Sequence, residues 1–211
     1  MGVEVTHQGC VAVVTLDWPE QRNALGPTEA EEVTAALSSA ALPREVSAVV
    51  LTGRGAFCAG GNLPAIVELA SQGPGAVRAT IYGTFQSLIK TLLAVSVPTI
   101  AAIDGPAVGL GFDLALACDQ RVVGRLGWCR QGWAGIGLIP GTGGELLLRR
   151  LAPGLLWDML AGDRTLRADD LAAWQLASSV DGTALEESVA RGQRLGRLPR
   201  ATLEGYVALF R

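Results

Sequence analysis

The stretch Gly105-Pro-Ala-Val-Gly-Leu-Gly-Phe-Asp-Leu-Ala-Leu-Ala-Cys-Asp119 decides the fold of the chain around it. Gly109 and Gly111 flank Leu110 and carry no side chain, so a ligand oxygen can approach the backbone N–H groups that a helix start leaves unpaired. Asp113 follows Leu110 by about one helical turn, which predicts its carboxylate on the side that the Leu110 N–H faces. Taken alone, the pattern fits equally well a buried helix whose glycines only permit close packing.

A second glycine-rich turn, residues 57–63 (FCAGGNL), repeats this arrangement earlier in the chain. It leads from a strand-like run into a helix for which Asn62 is a suitable N-cap, and Gly61 supplies a second N–H donor. Two backbone N–H groups that converge on one carbonyl oxygen stabilise an enolate-like thioester anion. The two turns together therefore predict an oxyanion-binding site.

The composition is that of one well-buried domain. The chain has 211 residues, of which 49% are hydrophobic and only 18% charged, which favours a globule with an oligomer interface. The formal charge of -3 gives no electrostatic reason to expect nucleic acid as a partner. We find neither a cationic leader nor an uncharged apolar run of 18 residues, so we expect a cytoplasmic protein without membrane contact.

Histidine and cysteine usage excludes several kinds of site. His7 is the single histidine, so neither a Ser-His-Asp relay nor a histidine-rich metal site is expected, and we assign no metal. No phosphate-binding or dinucleotide-binding glycine motif is present at a suitable place. We interpret the four cysteines as packed free thiols: Cys10, Cys58, Cys118 and Cys129.

Apolar strand-like runs alternate with helical patterns along the chain. We expect strands over residues 10–17, 46–52, 97–103 and 120–123. We expect helices over residues 27–42, 63–70, 77–94 and 165–177. This alternation predicts the α/β class.

These blocks resemble the crotonase superfamily, the enoyl-CoA hydratase and isomerase family. The resemblance runs from residues 18–25 (WPEQRNAL) to residues 174–180, and residues 139–144 (IPGTGG) match the family's glycine-rich turn. It implies a β-β-α superhelical spiral, with a core domain over residues 1–164. It also implies a C-terminal helical region over residues 165–211, shortened relative to the family, and assembly as a homotrimer or hexamer.

The resemblance also implies roles for individual residues. The N–H groups at the positions matching Gly61 and Leu110 form the family's oxyanion hole for the acyl-CoA thioester. Coenzyme A is then part of the substrate, and no separate cofactor is expected. Arg22 matches a segment that holds coenzyme A, although from the residue alone it is an exposed loop cation. The positions expected to contact substrate are Trp133, Arg22, Ala24, Ala59, Gly60, Gly109, Pro140 and Gly141.

The chain departs from the family at both acidic positions. Hydratases of the family use two glutamates, and here Asp113 stands at the first position and Trp133 at the second. Aspartate is shorter by one methylene, about 1.5 Å. Tryptophan does not exchange protons at neutral pH, but it offers an indole N–H donor and a large apolar face. The two substitutions therefore argue against a concerted two-carboxylate hydration.

Three hypotheses remain open for the chemistry. Asp113 alone acts as the acid/base, Trp133 is a wall that positions a bulky acyl group, or the site binds acyl-CoA without turnover. We favour a lyase or isomerase that stabilises an enolate, with hydration or dehydration of an enoyl thioester first and double-bond isomerisation second. The thioester is carried by coenzyme A or by an acyl-carrier protein.

Some details of the helices can also be predicted. Thr142 and Glu145 have the spacing of a capping box at a helix start. Gln175 stands where a glycine is usual in the family. Three side chains of the 77–94 helix either line the acyl pocket or form an ordinary core stripe: Tyr82, Phe85 and Leu88.

Overall fold

The computed structural model describes residues 2–162 and 164–211 as an α/β fold with two sheets. The strands are β1 (Gly2–Gln8), β2 (Val11–Asp17), β3 (Ala48–Gly53), β4 (Thr99–Ile103), β5 (Pro106–Val108), β6 (Gln120–Val123), β7 (Trp128–Arg130), β8 (Leu166–Arg167) and β9 (Ser178–Ser179). The larger sheet has the order β1-β2-β3-β4-β6-β9, and the smaller sheet has the order β5-β7-β8. The α/β class predicted from the alternation is confirmed.

Helices connect and cover the two sheets. They are α1 (Pro27–Ala40), α2 (Leu63–Ser71), α3 (Pro74–Arg78), α4 (Gln86–Ala94), α5 (Leu110–Ala117), α6 (Gly144–Leu151), α7 (Leu155–Gly162), α8 (Ala168–Ala173), α9 (Ala184–Leu195) and α10 (Arg200–Phe210). A π-helical segment, Ala79–Phe85, joins α3 to α4, so the predicted 77–94 helix exists but its hydrogen-bond pattern changes. Across the residues that the structure describes, no helix is long and apolar enough to cross a membrane.

The central parallel strands of the larger sheet, β3 and β4, are buried on both faces. β3 pairs with β2 and β4, and β4 pairs with β6, all in parallel. Every residue of β4 is buried, as helix cover on both sides of a parallel sheet requires. β1 pairs with β2 in the antiparallel direction and forms one edge of this sheet, where most of its residues are exposed.

A repeated strand-strand unit positions the site. β4 and β6 lie side by side in the larger sheet, and the strands that follow them, β5 and β7, lie side by side in the smaller one. The turn that follows β3 joins the same layer through a parallel bridge between Cys58 and Ala107. Three successive units therefore carry their connecting turns to one end of the molecule.

The region 165–211 contains the helices α8, α9 and α10, but its first segment differs from the prediction. Residues 165–177 were expected to form one helix, but Leu166 and Arg167 pair with β7, and α8 ends at Ala173. Gln175 then adopts a left-handed backbone conformation with φ 55°. The expectation of a single helix is wrong because strand pairing across the chain is not visible in a local pattern.

The cysteines are free thiols. Cys58, Cys118 and Cys129 are buried, while Cys10 is only half-buried. Burial raises the pKa of Cys58 and of Cys118 to about 12, and it raises the pKa of Cys129 as well. The three buried thiols are therefore un-ionised at neutral pH.

Candidate active site

The two glycine-rich turns lie side by side and are hydrogen-bonded to each other. The Cys58 N–H donates to the Pro106 carbonyl at 3.0 Å, and the Val108 N–H donates to the Cys58 carbonyl at 2.9 Å. A Cβ atom placed on Gly60 would lie 3.7 Å from the Leu110 nitrogen. The first turn is thus in direct contact with the start of α5.

Glycine is required at two of these contacts. A Cβ on Gly111 would lie 2.1 Å from the Cys58 carbonyl oxygen, and a Cβ on Gly60 would lie 2.6 Å from the Val108 carbonyl oxygen. Gly60 also has φ 103°, a conformation that other residues rarely adopt. The absence of side chains is what lets the two backbones approach.

Both predicted donors stand at or just before the start of a helix. α5 begins at Leu110, and α2 begins at Leu63 after Asn62, whose side-chain oxygen accepts from the Ala65 N–H at 3.3 Å. Asn62 is therefore the N-cap, as predicted. Within residues 2–162 and 164–211, the N–H groups of Gly61 and Leu110 donate to no other group.

A cavity of about 240 Å³ opens beside these turns. Four of the residues predicted to contact substrate line it: Ala59, Gly60, Gly109 and Trp133. Of the two predicted oxyanion donors, Gly61 lines it and Leu110 does not. The other residues that line it are Leu63, Val108, Trp128, Arg130, Gln131 and Gly132. No carboxylate belongs to this set of described residues.

Trp133 covers both turns with its indole ring. A Cβ on Gly109 would lie 3.2 Å from the indole Cε2 and 3.4 Å from its Nε1, and a Cβ on Gly61 would lie 3.7 Å from its Cη2. The indole Nε1 is buried and has no hydrogen-bond partner in the part of the chain that is described. Trp133 is thus a wall of the cavity with an unused donor.

Gln131 is a site residue that the sequence did not reveal. It lines the cavity, is only 4% exposed, and its Nε2 donates to Asp113 Oδ1 at 2.9 Å. Its other amide atom, Oε1, is buried without a partner among the described residues. The only hint in the sequence is a polar side chain between a strand and a glycine.

Asp113 does not line the cavity. Its carboxylate is fully buried, with Oδ1 accepting from Gln131 and Oδ2 accepting from the Thr142 hydroxyl. Burial raises its pKa to about 6; the hydrogen bonds from Thr142 and Gln131 lower it, and the nearby Glu145 charge raises it. The carboxylate faces Gly144, where a Cβ would lie 1.7 Å from Oδ1.

The capping box predicted for Thr142 and Glu145 is wrong. The N-cap of α6 is Gly143, with φ 93°, and the Thr142 side chain makes its hydrogen bond to Asp113 instead. A buried carboxylate gains more from a hydroxyl donor than an exposed helix end does, because the carboxylate has no access to water. Glu145 Oε2 is buried and makes no hydrogen bond to the described residues.

The loop over residues 18–25 lies along the first turn. The Ala59 N–H donates to the Arg22 carbonyl at 3.0 Å, and the Leu25 N–H donates to the Gly60 carbonyl at 2.8 Å. The Arg22 side chain is exposed, and Ala24 is half-buried. The loop is thus next to the cavity, although neither residue lines it.

The remaining predicted positions lie further from the cavity. Pro140 and Gly141 precede α6 and are not among its lining residues, and the Gly141 carbonyl accepts from Gln86 Nε2 at 2.7 Å. Phe85 and Leu88 are buried in the main core, which supports the interpretation as a core stripe. The Tyr82 side chain lies outside what the structure describes.

This fold and this pair of turns belong to a known class. Residues 6–205 match the model of the family described as "Enoyl-CoA hydratase/isomerase", and the chain belongs to that family. A crystal structure of an enoyl-CoA hydratase from Polaromonas sp. JS666 superimposes with a TM-score of 0.91 at 32% identity, over 99% of this chain and 82% of that one. The crotonase fold predicted from the resemblance is confirmed.

Two curated relatives show how far the similarity extends along the chain. A "Putative enoyl-CoA hydratase" from Thermus thermophilus is 34% identical over 198 residues, which cover 90% of this chain and 76% of that protein. A "Probable enoyl-CoA hydratase" from Mycobacterium tuberculosis is 36% identical over 141 residues. Those residues cover 66% of this chain and 54% of the relative, so the match spans about half the length of that protein.

Proposed function

We propose that this protein binds an acyl-CoA thioester and holds its carbonyl oxygen on the N–H groups of Gly61 and Leu110. The observation that carries the proposal is the pair of unpaired N–H groups on two contacting turns beside one cavity. Charge that develops on the oxygen as an enolate forms is stabilised by donors already in place. The exposed Arg22, on the loop that borders the first turn, is suited to contact the phosphates of coenzyme A.

The reaction is that of a lyase or isomerase, and hydration or dehydration of an enoyl thioester is our first choice. Asp113 is the proposed proton-transferring group, since a carboxyl with pKa near 6 exchanges protons readily at neutral pH. Gln131 stands between Asp113 and the cavity, so this role requires the Gln131 amide to move aside. Trp133 at the second acidic position argues against a two-carboxylate mechanism.

A second candidate function is acyl-CoA binding without turnover. It is favoured by the lack of any carboxylate among the described residues that line the cavity. The same pocket binds the thioester in both cases, so affinity alone does not separate them. Proton exchange at the α-carbon does, because it requires both the enolate and a base.

The experiment compares Gly61→Pro with Gly61→Ala. Proline removes the N–H donor, whereas alanine keeps it and meets only the end of the Ile66 side chain within 3 Å. We expect Gly61→Pro to lower crotonyl-CoA hydration and α-deuterium exchange of butyryl-CoA by about 10²- to 10³-fold relative to Gly61→Ala. Circular dichroism of both variants shows whether they are folded.

Each outcome assigns a function. Exchange in the wild type that Asp113→Asn abolishes supports the enzyme with Asp113 as its base. Micromolar binding of acyl-CoA without any exchange supports the binding protein. Equal activity of folded Gly61→Pro and Gly61→Ala contradicts the oxyanion site.

A further inference from the structure

The two oxygens of the Asp113 carboxylate are held by different parts of the chain. Oδ1 accepts from Gln131 Nε2 at 2.9 Å, and Gln131 lines the cavity beside the glycine-rich turns. Oδ2 accepts from the hydroxyl of Thr142, which does not line that cavity and is only 6% exposed. One oxygen is thus bound to the cavity wall, and the other is bound to the turn before α6.

The turn before α6 is shaped around this carboxylate. Gly143, which follows Thr142 and is the N-cap of α6, has φ 93°, a conformation that favours glycine. A Cβ on Gly144 would lie 1.7 Å from Asp113 Oδ1 and 2.8 Å from Oδ2, so the approach requires a residue without a side chain. Three consecutive residues thus serve the same contact with a hydroxyl, a left-handed turn and a missing side chain.

The groups around Asp113 act on its charge in opposite directions. Burial raises its pKa, the hydrogen bonds from Thr142 and Gln131 lower it, and the charge of Glu145 in the first turn of α6 raises it. Cys58, on the first glycine-rich turn, is also close enough to interact with Asp113, but its buried thiol is un-ionised at neutral pH. The two neutral donors therefore keep the buried group from holding its proton more tightly.

These two donors are not equivalent during proton transfer. The proposed role of Asp113 requires the Gln131 amide to move aside, because Gln131 stands between the carboxylate and the cavity. Among the described residues, Thr142 is then the remaining side chain that donates to Asp113. A buried carboxylate that loses its donors becomes protonated, and a protonated carboxyl group is not a base.

We propose that Thr142 is a positioning residue that holds Asp113 as a carboxylate while Gln131 moves aside. The inference rests on the proposed function, which assigns to Asp113 the proton transfer at the α-carbon of an acyl thioester. In that step the C–H bond breaks, its electron pair passes into the enolate, and the proton bonds to Asp113 Oδ1. The Thr142 hydroxyl stays hydrogen-bonded to Oδ2 and neither gains nor loses a proton.

The test compares Thr142→Val, which removes the hydroxyl from a side chain of nearly the same shape, with Thr142→Ser, which keeps it. We measure kcat and KM for α-deuterium exchange of butyryl-CoA as a function of pH. The wild-type rate should rise with a midpoint near pH 6 as Asp113 ionises. In Thr142→Val we expect this midpoint to rise by about one pH unit and kcat above it to fall about tenfold, while KM changes less than about twofold. Thr142→Ser should restore the wild-type profile.

Thr52→Val is the matched control, because Thr52 is 4% exposed and its hydroxyl donates to the Ala102 carbonyl at 3.1 Å. This variant also loses a buried hydrogen bond, but the bond does not involve Asp113, so the midpoint should stay where it is in the wild type. An unshifted midpoint in Thr142→Val overturns the inference, and so does a shift that Thr142→Ser fails to reverse.

A direct titration of Asp113 separates this inference from the proposed function. Carbon NMR of protein labelled at the aspartate carboxyl groups, with Asp113→Asn to assign the signal, should give an Asp113 pKa about one unit higher in Thr142→Val than in the wild type. Identical titrations in the two proteins overturn the role of Thr142 whether or not the wild type is active. A wild type that exchanges no deuterium contradicts the proposed function instead.

Discussion

Asp113 is held in the protein interior by two neutral donors. Its folded-state pKa, about 6, lies above the ordinary 3.8, because burial costs the charged form more than the hydrogen bonds from Thr142 and Gln131 return. The folded state therefore binds the proton more tightly than the unfolded state does. The resulting stabilisation is fully present below about pH 4 and is lost as the pH rises through about 6.

Asp113→Asn should remove this pH dependence. The asparagine oxygen accepts from Gln131, and its NH₂ donates to the Thr142 hydroxyl, so both contacts have a partner. Moving a pKa from 3.8 to about 6 corresponds to roughly 3 kcal/mol. We expect the free energy of unfolding of the wild type to fall by up to this amount relative to Asp113→Asn between pH 4 and pH 7. Urea denaturation at several pH values measures it, and parallel curves for the two proteins would contradict the prediction.

Gln175 occupies a backbone conformation that suits glycine. Its φ of 55° lies in the left-handed region, where a side chain costs about 1–2 kcal/mol, which fits the glycine that the resemblance implies for this position. Gln175→Gly should stabilise the protein by roughly 0.5–1 kcal/mol after the greater backbone entropy of glycine is subtracted. Gln193→Gly is the control, because residue 193 is an exposed position inside α9 and the same change there should destabilise by about 1 kcal/mol. Thermal unfolding of both variants tests whether Gln175→Gly raises the stability while Gln193→Gly lowers it.

The two proposed oxyanion donors were identified as candidates from the sequence, but the side chains around them were not. Gly61 and Leu110 follow from the glycine pattern and the helix starts, both of which are local properties of the sequence. Gln131 and Thr142 are connected to Asp113 only through the folded chain, 18 and 29 residues away along the sequence. These two partners of the Asp113 carboxylate could not be predicted from helical spacing, which describes only its own helix.

At the scale of elements, the turn over residues 57–63 packs against α5 only because Gly111 has no side chain. Gly111→Ala would place a Cβ 2.1 Å from the Cys58 carbonyl oxygen, so the turn that carries Gly61 must shift. We expect a loss of about 2 kcal/mol or more in the free energy of unfolding, together with weaker acyl-CoA binding.

Gly205→Ala is the matched control for this substitution. Gly205 lies in α10, and nothing is within 4 Å of a Cβ placed on it. The change should therefore stabilise the protein by about 0.5–1 kcal/mol and leave ligand affinity unchanged. Chemical denaturation and calorimetry are performed on both variants. Unchanged stability of Gly111→Ala would show that the two turns are not packed as closely as described.

Elements with a strong local signal were predicted well, and those that depend on distant pairing were not. β3 and β4 are short apolar runs, and a strand buried on both faces must have such a sequence. β8 and β9 have two residues each and exist only because β7 and β6 accept them as neighbours. The pattern over residues 165–177 favours one helix, but Leu166 and Arg167 pair with β7, and the helix is limited to Ala168–Ala173.

At the scale of the whole molecule, assembly as a homotrimer or hexamer stays a prediction. An apolar cavity on the surface makes it testable. A cavity of about 880 Å³ between α6 and α10 is lined by exposed apolar side chains, including Leu146, Leu151, Tyr206 and Phe210. Burial of such a surface favours association.

We expect sedimentation velocity to give a mass of three or six chains for the wild type. Phe210→Glu should reduce this mass, because it places a charge on a surface that would be buried in the assembly. Leu126→Glu is the control, because Leu126 is 75% exposed but does not line this cavity, and it should leave the mass unchanged. A wild type that sediments as a monomer at all concentrations would contradict the predicted assembly.

The buried cysteines can be used to measure local opening, because a buried thiol reacts with a reagent only when the structure around it opens. Of the four, only Cys10 is partly accessible, so an aromatic disulfide reagent should label it promptly and leave the others intact. Cys58 belongs to the same turn as Gly60 and Gly61, and its Sγ accepts from the Gly60 N–H at 3.4 Å. The slow labelling rate of Cys58, resolved by peptide mass, therefore reports how often that turn detaches from its neighbours, while Cys118 and Cys129 report on the interior around them.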